Sequence, residues 1–233
     1  MSVIVVTFLV TLCLIGATVS IPLVWWIVRS VRRRSRAQSF LRRGWNFVEL
    51  PGPLPGHGLS CPPFGLGTSR AIKDQVVGRN RHQRSFQAFS YSCSTYRRPG
   101  FCVSMRLPHS LPEFHWFPQS RPRFGVMEGV VVHQGHQMGV TPHEHFGRAV
   151  VQALGPAINW PGLDFTIDHS QIVFLEIPDQ PERLAAFVDE MEALLVSLEQ
   201  AELGRFAGAP APEGMGVYRR PNWEYRSEDN SLL

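Results

Sequence analysis

The sequence predicts an α+β protein: one N-terminal transmembrane helix followed by a mainly antiparallel sheet with two packing helices. Three observations predict it. The chain opens on an uncharged run from Val3 to Val28. Two central segments, Phe89–Ser94 and Phe101–Leu107, alternate apolar and polar residues with the period of a half-buried strand. Near the C-terminal end, Leu184, Phe187, Val188, Met191, Leu194, Leu195 and Leu198 fall on one wide helical face.

The first run has 26 residues, roughly 39 Å at the helical rise against a hydrocarbon core of about 30 Å. Pro22 predicts a kink, and Trp25 and Trp26 have the amphipathic rings that favour the headgroup level. Arg29, Arg32, Arg33, Arg34, Arg36, Arg42 and Arg43 follow with no acid among them. By the positive-inside rule this predicts a single-pass protein of the cell membrane, N-terminus outside and C-terminal domain cytoplasmic. A cleaved signal peptide fits poorly, because the basic segment follows the apolar run instead of preceding it. Trp25, Trp26, Arg29, Arg32, Arg33, Arg34 and Arg36 are the expected membrane-interface residues. The lipid bilayer is thus an expected partner, with anionic headgroups attracting each arginine by about 1 kcal/mol.

The seven flanking arginines exceed the whole chain's net charge of +4, so residues 44–233 sum to −3. That part has no electrostatic reason to seek nucleic acid. Cys61, Cys93 and Cys102 form no C-x-x-C pair, and structural disulfides are not expected.

The expected organisation is a transmembrane anchor at 1–28, a polybasic juxtamembrane segment at 29–43, a Pro/Gly-rich loop at 44–69, a cytoplasmic α+β domain at 70–203 and a flexible tail at 204–233. Residues 51–69 hold five prolines and five glycines, a composition for turns and not for helix. A strand is expected around Ile72–Gly78, pairing back through Arg79–Gln83. The two alternating segments follow, joined by the turn residues Arg97-Arg98-Pro99-Gly100. Shorter strands are expected at Glu113–Phe117 and Gly129–His133, separated by prolines 108, 112, 118 and 122. Thr141-Pro142-His143-Glu144 has capping-box chemistry for a helix to about Leu154. Asp164–Asp168 and Gln171–Ile177 form a hairpin, and Pro181 opens the last helix. Its acids Asp189, Glu190, Glu192 and Glu199 read as a solvated face. Tyr218, Trp223 and Tyr225 in the tail are a candidate docking segment.

Chemistry-bearing patterns are sparse, and no catalytic residue or cofactor is expected. His133, His136, His143 and His145 lie within 13 residues, and gathered imidazoles would bind a metal ion such as zinc. Their spacing argues against a compact site: His143 and His145 stand at i and i+2 of a helix, pointing apart, and H-E-x-x-H is lacking. Asp168-His169-Ser170 contains the three residue types of a hydrolase triad, yet neighbours on a tight turn cannot form the relay. Gly65-Leu66-Gly67 precedes a strand instead of a helix and is no phosphate cradle.

Gly44-Trp45, the segment Pro63-Phe64-Gly65-Leu66-Gly67, Gly78 and Phe89-x-Tyr91 together resemble a family of small membrane proteins from high-GC Gram-positive bacteria. The resemblance covers about residues 44–203. It implies an N-terminal spanning segment and a cytoplasmic α+β domain, and it brings no activity with it. The histidine-rich stretch at 133–145 departs from the family.

The functional expectation is a membrane-tethered cytoplasmic binding or interaction module, with an unidentified protein partner. Two alternatives stand beside it: a metal-dependent enzyme or metal sensor using His133, His136, His143 and His145, and an anionic-lipid surface sensor using the arginine run.

Overall fold

The computed structural model describes residues 2–49, 59, 61, 63–64, 71–94, 100–119, 129–155 and 162–209. The chain divides into two compact units, Met1–Gly44 and Trp45–Leu233.

The first unit is a single helix, α1 (Ser2–Arg42). Its last turn closes with Arg43 N donating to Phe40 O and Gly44 N to Leu41 O, at 3.0 and 2.9 Å. Gly44 adopts φ +75°, the left-handed C-terminal cap that glycine allows without a Cβ penalty. The expectation of a single-pass anchor is corrected here: among the described residues, no helix is long and apolar enough to cross a membrane. Side chains of α1 are described from Ser20 on, Pro22 and Leu23 excepted. In that stretch apolar character ends at Val28, where arginines enter the same unbroken helix. The orientation inferred from the arginines, with an outside N-terminus and a cytoplasmic domain, falls with the span.

The second unit is α+β, with a mainly antiparallel sheet of β1 (Asn46–Val48), β2 (Ala71–Arg79), β3 (Ser85–Ser92), β4 (Gly100–Pro118), β5 (Val130–Gln134), β6 (Gln137–Thr141) and β7 (Phe165–Phe174). Two helices, α2 (Glu144–Leu154) and α3 (Pro181–Gln200), pack on it. The neighbour order is β1-β2-β3-β4-β6-β5, with β7 on β4.

The centre of the sheet is made by two strands that fold back on themselves. Leu175 N donates to Asp164 O at 2.9 Å, and the rings of Phe165 and Phe174 lie 5.9 Å apart. Ten residues in one straight strand would hold those ends roughly 30 Å apart, so β7 is a hairpin. Its tip is Asp168-His169-Ser170, with His169 at φ +56°, the conformation a tight hairpin turn requires. Val103–Arg106 of β4 pair with the returning arm, Gln171–Phe174, whereas Phe114–Trp116 pair with the outgoing arm, Phe165–Ile167. Both pairings are antiparallel, so β4 must itself reverse, passing round the tip of β7, where Leu111 meets His169. Pro108 and Pro112 sit in that reversal, beyond Met105, where pairing with β3 ends, and before His115, where pairing with β6 begins. There they cost no ladder bond. The expected separation at these prolines is therefore a bend within β4, and the expected hairpin is present.

Alternation then assigns two faces. Phe86, Val103, Met105, Phe114, Trp116, Phe165, Ile167, Ile172 and Phe174 share one face and are buried. Phe114 meets Phe146 of α2 at 6.2 Å, edge to face, and Phe174 meets Phe187 of α3 at 5.4 Å. The seven apolar residues that predicted α3 are all buried. On the opposite face Leu59 and Phe64 cover Phe89, Tyr91, Cys93, Cys102, Val173 and Leu175.

Five details differ from expectation. Asn46–Val48, within the expected loop, add a short strand to β2. Gln137–Thr141 form a strand. The N-cap of α2 is His143 without a side-chain cap bond, because the Thr141 hydroxyl donates to Glu113 O at 2.7 Å and accepts from His143 N at 3.3 Å. Finally, the acids of α3 are not simply solvated. Arg84 Nε donates to both Glu192 oxygens at 3.0 Å, and its Nη1 reaches Glu199 at 2.6 Å. Asn80 Nδ2 donates to Glu192 at 2.8 Å, while Asn80 Oδ1 accepts from His82 N and Arg84 N. The β2–β3 turn is thereby clamped to α3. The folded chain also continues past Leu203: a 3-10 turn, Leu203–Phe206, places Phe206 5.5 Å from Phe146. Gly65–Gly67, Arg97–Pro99 and the tail aromatics Tyr218, Trp223 and Tyr225 lie outside the described residues.

Two outcomes follow from this packing. A Cβ on Gly78 would stand 2.4 Å from the Trp45 ring, which is held by its own bond to Arg79 O at 3.0 Å and by edge contact with Phe86 at 4.9 Å. Gly78→Ala should therefore destabilise by about 1–3 kcal/mol, read as a lower urea midpoint with unchanged slope. The second concerns the clamp. Burial by itself raises the Glu192 pKa, but the bonds from Arg84 and Asn80 outweigh it and hold the carboxyl below its ordinary value. A lowered carboxyl pKa contributes stability above the unfolded value, lost as pH falls through the folded one. Glu192→Gln should cost about 2 kcal/mol at neutral pH, and the gap to wild type should close in acid below the ordinary glutamate range. A gap independent of pH would assign the cost to packing instead.

Candidate functional site

The face opposite the helices carries a polar strip centred on the β7 hairpin. Following the ladder pairs, Asp164, Thr166 and Asp168 stand on the outgoing arm beside Glu113 and His115 of β4, all on this side. Asp164, Thr166, Asp168 and His115 are each at most 3% exposed. His115 Nε2 lies 3.2 Å from Asp164 Oδ1. Cys61 lies over the strip: its N–H donates to Asp168 Oδ2 at 2.8 Å and its thiol to Ile167 O at 3.4 Å. His169 Nδ1 meets the other Asp168 oxygen at 2.6 Å.

Within this strip the ligand atoms of Cys61, Glu113 and Asp168 all lie within 4.8 Å of one another. Among the described residues they are the group of three that converges closely enough to hold a metal ion. The four histidines singled out in the sequence are not brought together in this way. His133 lies on β5 and His136 in the turn before β6, whereas His143 and His145 stand at the start of α2. The five residues of β6 run between these pairs, roughly 17 Å at the strand rise. Burial lowers the pKa of His143.

On the same side of the sheet, toward β2 and β3, lies a concavity of about 340 Å3, lined by Val77, Ser85, Gln87, Ser104, Arg106 and Gln171. Ser104 Oγ donates to Gln171 at 2.8 Å. Cys102, on the same side, has its pKa raised by burial and by the nearby charges of Asp164 and Glu176. It stays a thiol at neutral pH, which removes it as a nucleophile.

A second feature lies at the end of the sheet. β5 is the last strand in the neighbour order and, among the described residues, pairs with β6 alone. Beside it runs a groove of about 410 Å3 between Val130–Gln134 and one stripe of α2, Glu144, Arg148, Val151 and Gln152, with Gly155 just beyond the helix end. Glu144 and Arg148 pair across one helical turn. Gln134 Oε1 is buried without a hydrogen-bond partner among the described residues.

On α1, Trp25 and Trp26 are 60% and 62% exposed, and Ile21, Val24, Ile27, Val28 and Val31 are exposed with them. The Arg29 guanidinium stands 5.0 Å from the Trp25 ring centre. Arg32, Arg33 and Arg34 are exposed, and Arg36 is half-buried.

No family model matches the chain, and no curated protein matches it. The crystal structure of the mycobacterial trehalose monomycolate transport factor A, TtfA, is similar to it at 13% sequence identity and a TM-score of 0.45, over 77% of this chain and 97% of that one. A likeness of that degree assigns no function.

Sequence reasoning missed Cys61, Glu113 and Asp168 as a group. Cys61 lies 107 residues from Asp168, and no spacing motif spans such a distance; only the fold of β4 and β7 joins them. The groove at β5 was equally hidden, because β6 had not been recognised.

Proposed function

We propose that the second unit is a binding module that receives an extended peptide segment of another protein along the outer edge of β5, unpaired among the described residues, in the groove beside α2. The observation that carries this reading is an edge strand with none of the usual protections. Val130-Val131-Val132-His133-Gln134 contains no lysine, acid or proline, and its pairing with β6 has no bulge. Such an edge templates a further strand. The two-residue turn after Gln134 makes Gln134↔Gln137 a bonded pair, so residues 130, 132 and 134 spend their backbone groups on β6. Those of Val131 and His133 face outward. An added strand would bond there and drop alternate side chains against Val151 and the Arg148 stem. The apolar lining favours valine- or leucine-like side chains at those positions.

The test is selection of linear peptides from a random display library on the full-length chain, followed by binding to Val131→Pro. That substitution removes only an outward N–H and leaves the β6 ladder intact. Selected peptides should lose at least about tenfold in affinity, near the value of one good hydrogen bond, with the melting transition unchanged. Peptides that bind the variant equally well would end the reading.

A second reading is favoured by α1: an exposed apolar and aromatic stretch running straight into arginines fits attachment to an anionic lipid surface. It requires no membrane crossing. Replacing Arg32, Arg33 and Arg34 with glutamine should weaken binding to phosphatidylserine-containing vesicles by roughly a hundredfold, at about 1 kcal/mol each, and wild-type binding should fall with added salt. Unchanged binding by the triple variant would reduce the run to a solvated helix end.

A further inference from the structure

We propose that Cys61, Glu113 and Asp168 form a binding site for one divalent transition-metal ion, zinc or a close relative, at the tip of the β7 hairpin. Three groups that can each carry a negative charge converge within 4.8 Å, and Cys61 and Asp168 are 0% and 1% exposed. Like charges gathered in a medium of low dielectric repel strongly unless protons or a cation intervene. A thiolate with two carboxylates is a donor set that suits zinc, with room for a fourth ligand from solvent. Glu113 is the half-buried member and marks the side from which solvent reaches the site.

Two further features resemble the surroundings of a ligated metal. Asp168 is held on both oxygens, by the Cys61 amide at 2.8 Å and by the His169 imidazole at 2.6 Å, as carboxylate ligands commonly are. Separately, Thr166 Oγ1 is fully buried and has no hydrogen-bond partner among the described residues. Thr166 precedes Asp168 by two residues on the same arm, so both side chains enter the same strip. A buried hydroxyl left over beside the carboxylate is an anchoring point for the water that would complete the ion's coordination. Zinc–sulfur and zinc–oxygen bonds of about 2.3 and 2.1 Å put ligand atoms roughly 3.5 Å apart, so loading draws the three groups together by about 1 Å. The ligand set spans the segment over the sheet, the returning half of β4 and the outgoing arm of β7. An ion there ties together parts of the chain distant in sequence.

The full-length protein, stripped with chelator, would be titrated with cobalt(II) and with zinc(II), following absorbance, heat and melting temperature. The expected result is one ion per chain, a thiolate-to-cobalt charge-transfer band, a higher melting temperature with metal, and affinity that rises with pH as ligand protons are released. Cys61→Ser should abolish the band, and Glu113→Gln should weaken zinc binding at least tenfold. Each variant's melting transition without metal reports whether it folds, and because Glu113 is half-buried its variant keeps the test decisive if Cys61→Ser does not fold. A His133→Ala, His136→Ala double variant should bind as wild type does. Substoichiometric binding, a cobalt spectrum without the thiolate band, or binding that survives Glu113→Gln would overturn the proposal. So would loss of binding in the histidine variant alone.

Discussion

The fold hangs on the way β4 is bent round the β7 hairpin. One segment of chain, Gly100–Pro118, supplies both walls of a slot, and the two arms of Phe165–Phe174 fill it. Without β7, the halves of β4 have no common partner, and the β1–β3 side of the sheet is disconnected from the β5–β6 side. Both helices rest on a row of side chains that this arrangement makes continuous: Phe114 under α2, Phe174 under α3, and Phe165 between them. The reversal is also where backbone pairing must be given up, and the chain puts Pro108 and Pro112 there, residues that have no N–H to leave unpaired.

The two sides of the sheet are spent differently. The helix side is closed by aromatic and aliphatic packing, and its polar requirement is met at the rim by Asn80, Arg84, Glu192 and Glu199. On the other side, among the described residues, an apolar cluster lies where Leu59 and Phe64 cover the sheet. Beyond them, carboxylates, a histidine and a threonine are buried in the middle of a sheet, where burying charge costs several kcal/mol unless it is compensated. A fold that needed only stability would fill those positions with valine. That contrast sets the polar strip, where the proposed metal site would lie, apart from the helix side of the sheet.

How much of this was legible in the sequence depends on the range of the signal. Strand alternation at Phe89–Ser94 and Phe101–Leu107, the apolar face of α3 and the turn at Asp168-His169-Ser170 are local, and each is present. The same is true of the α+β class. Short elements failed: Asn46–Val48 and Gln137–Thr141 are too brief for a period to declare itself against proline- and histidine-rich surroundings. Partnerships failed as well. Glu192 and Glu199 looked solvated because Arg84 is more than a hundred residues away, and the histidines, whose spacing already argued against a compact site, are parted by a strand that the sequence did not reveal. The N-terminal run misled in another way: its uncharged stretch passes at Val28 into arginines on one unbroken helix, and among the described residues no helix is long and apolar enough to cross a membrane. The site itself had no local signature at all, because Cys61, Glu113 and Asp168 meet only through the reversal of β4.

That reversal also sets the order in which the molecule can be made. The two halves of β4 leave the ribosome long before residues 165–174 exist, and until those arrive each half carries an open edge facing the other across an empty slot. Closing the slot joins segments about sixty residues apart, an arrangement of high contact order that slows folding and prolongs exposure of unpaired strands. A chain interrupted before Phe165 is therefore not a smaller version of the domain but a sheet in two pieces, with Val103–Arg106 and Phe114–Trp116 lacking the strand that pairs with them, and it is at that stage of synthesis that the protein depends most on whatever keeps nascent edges apart.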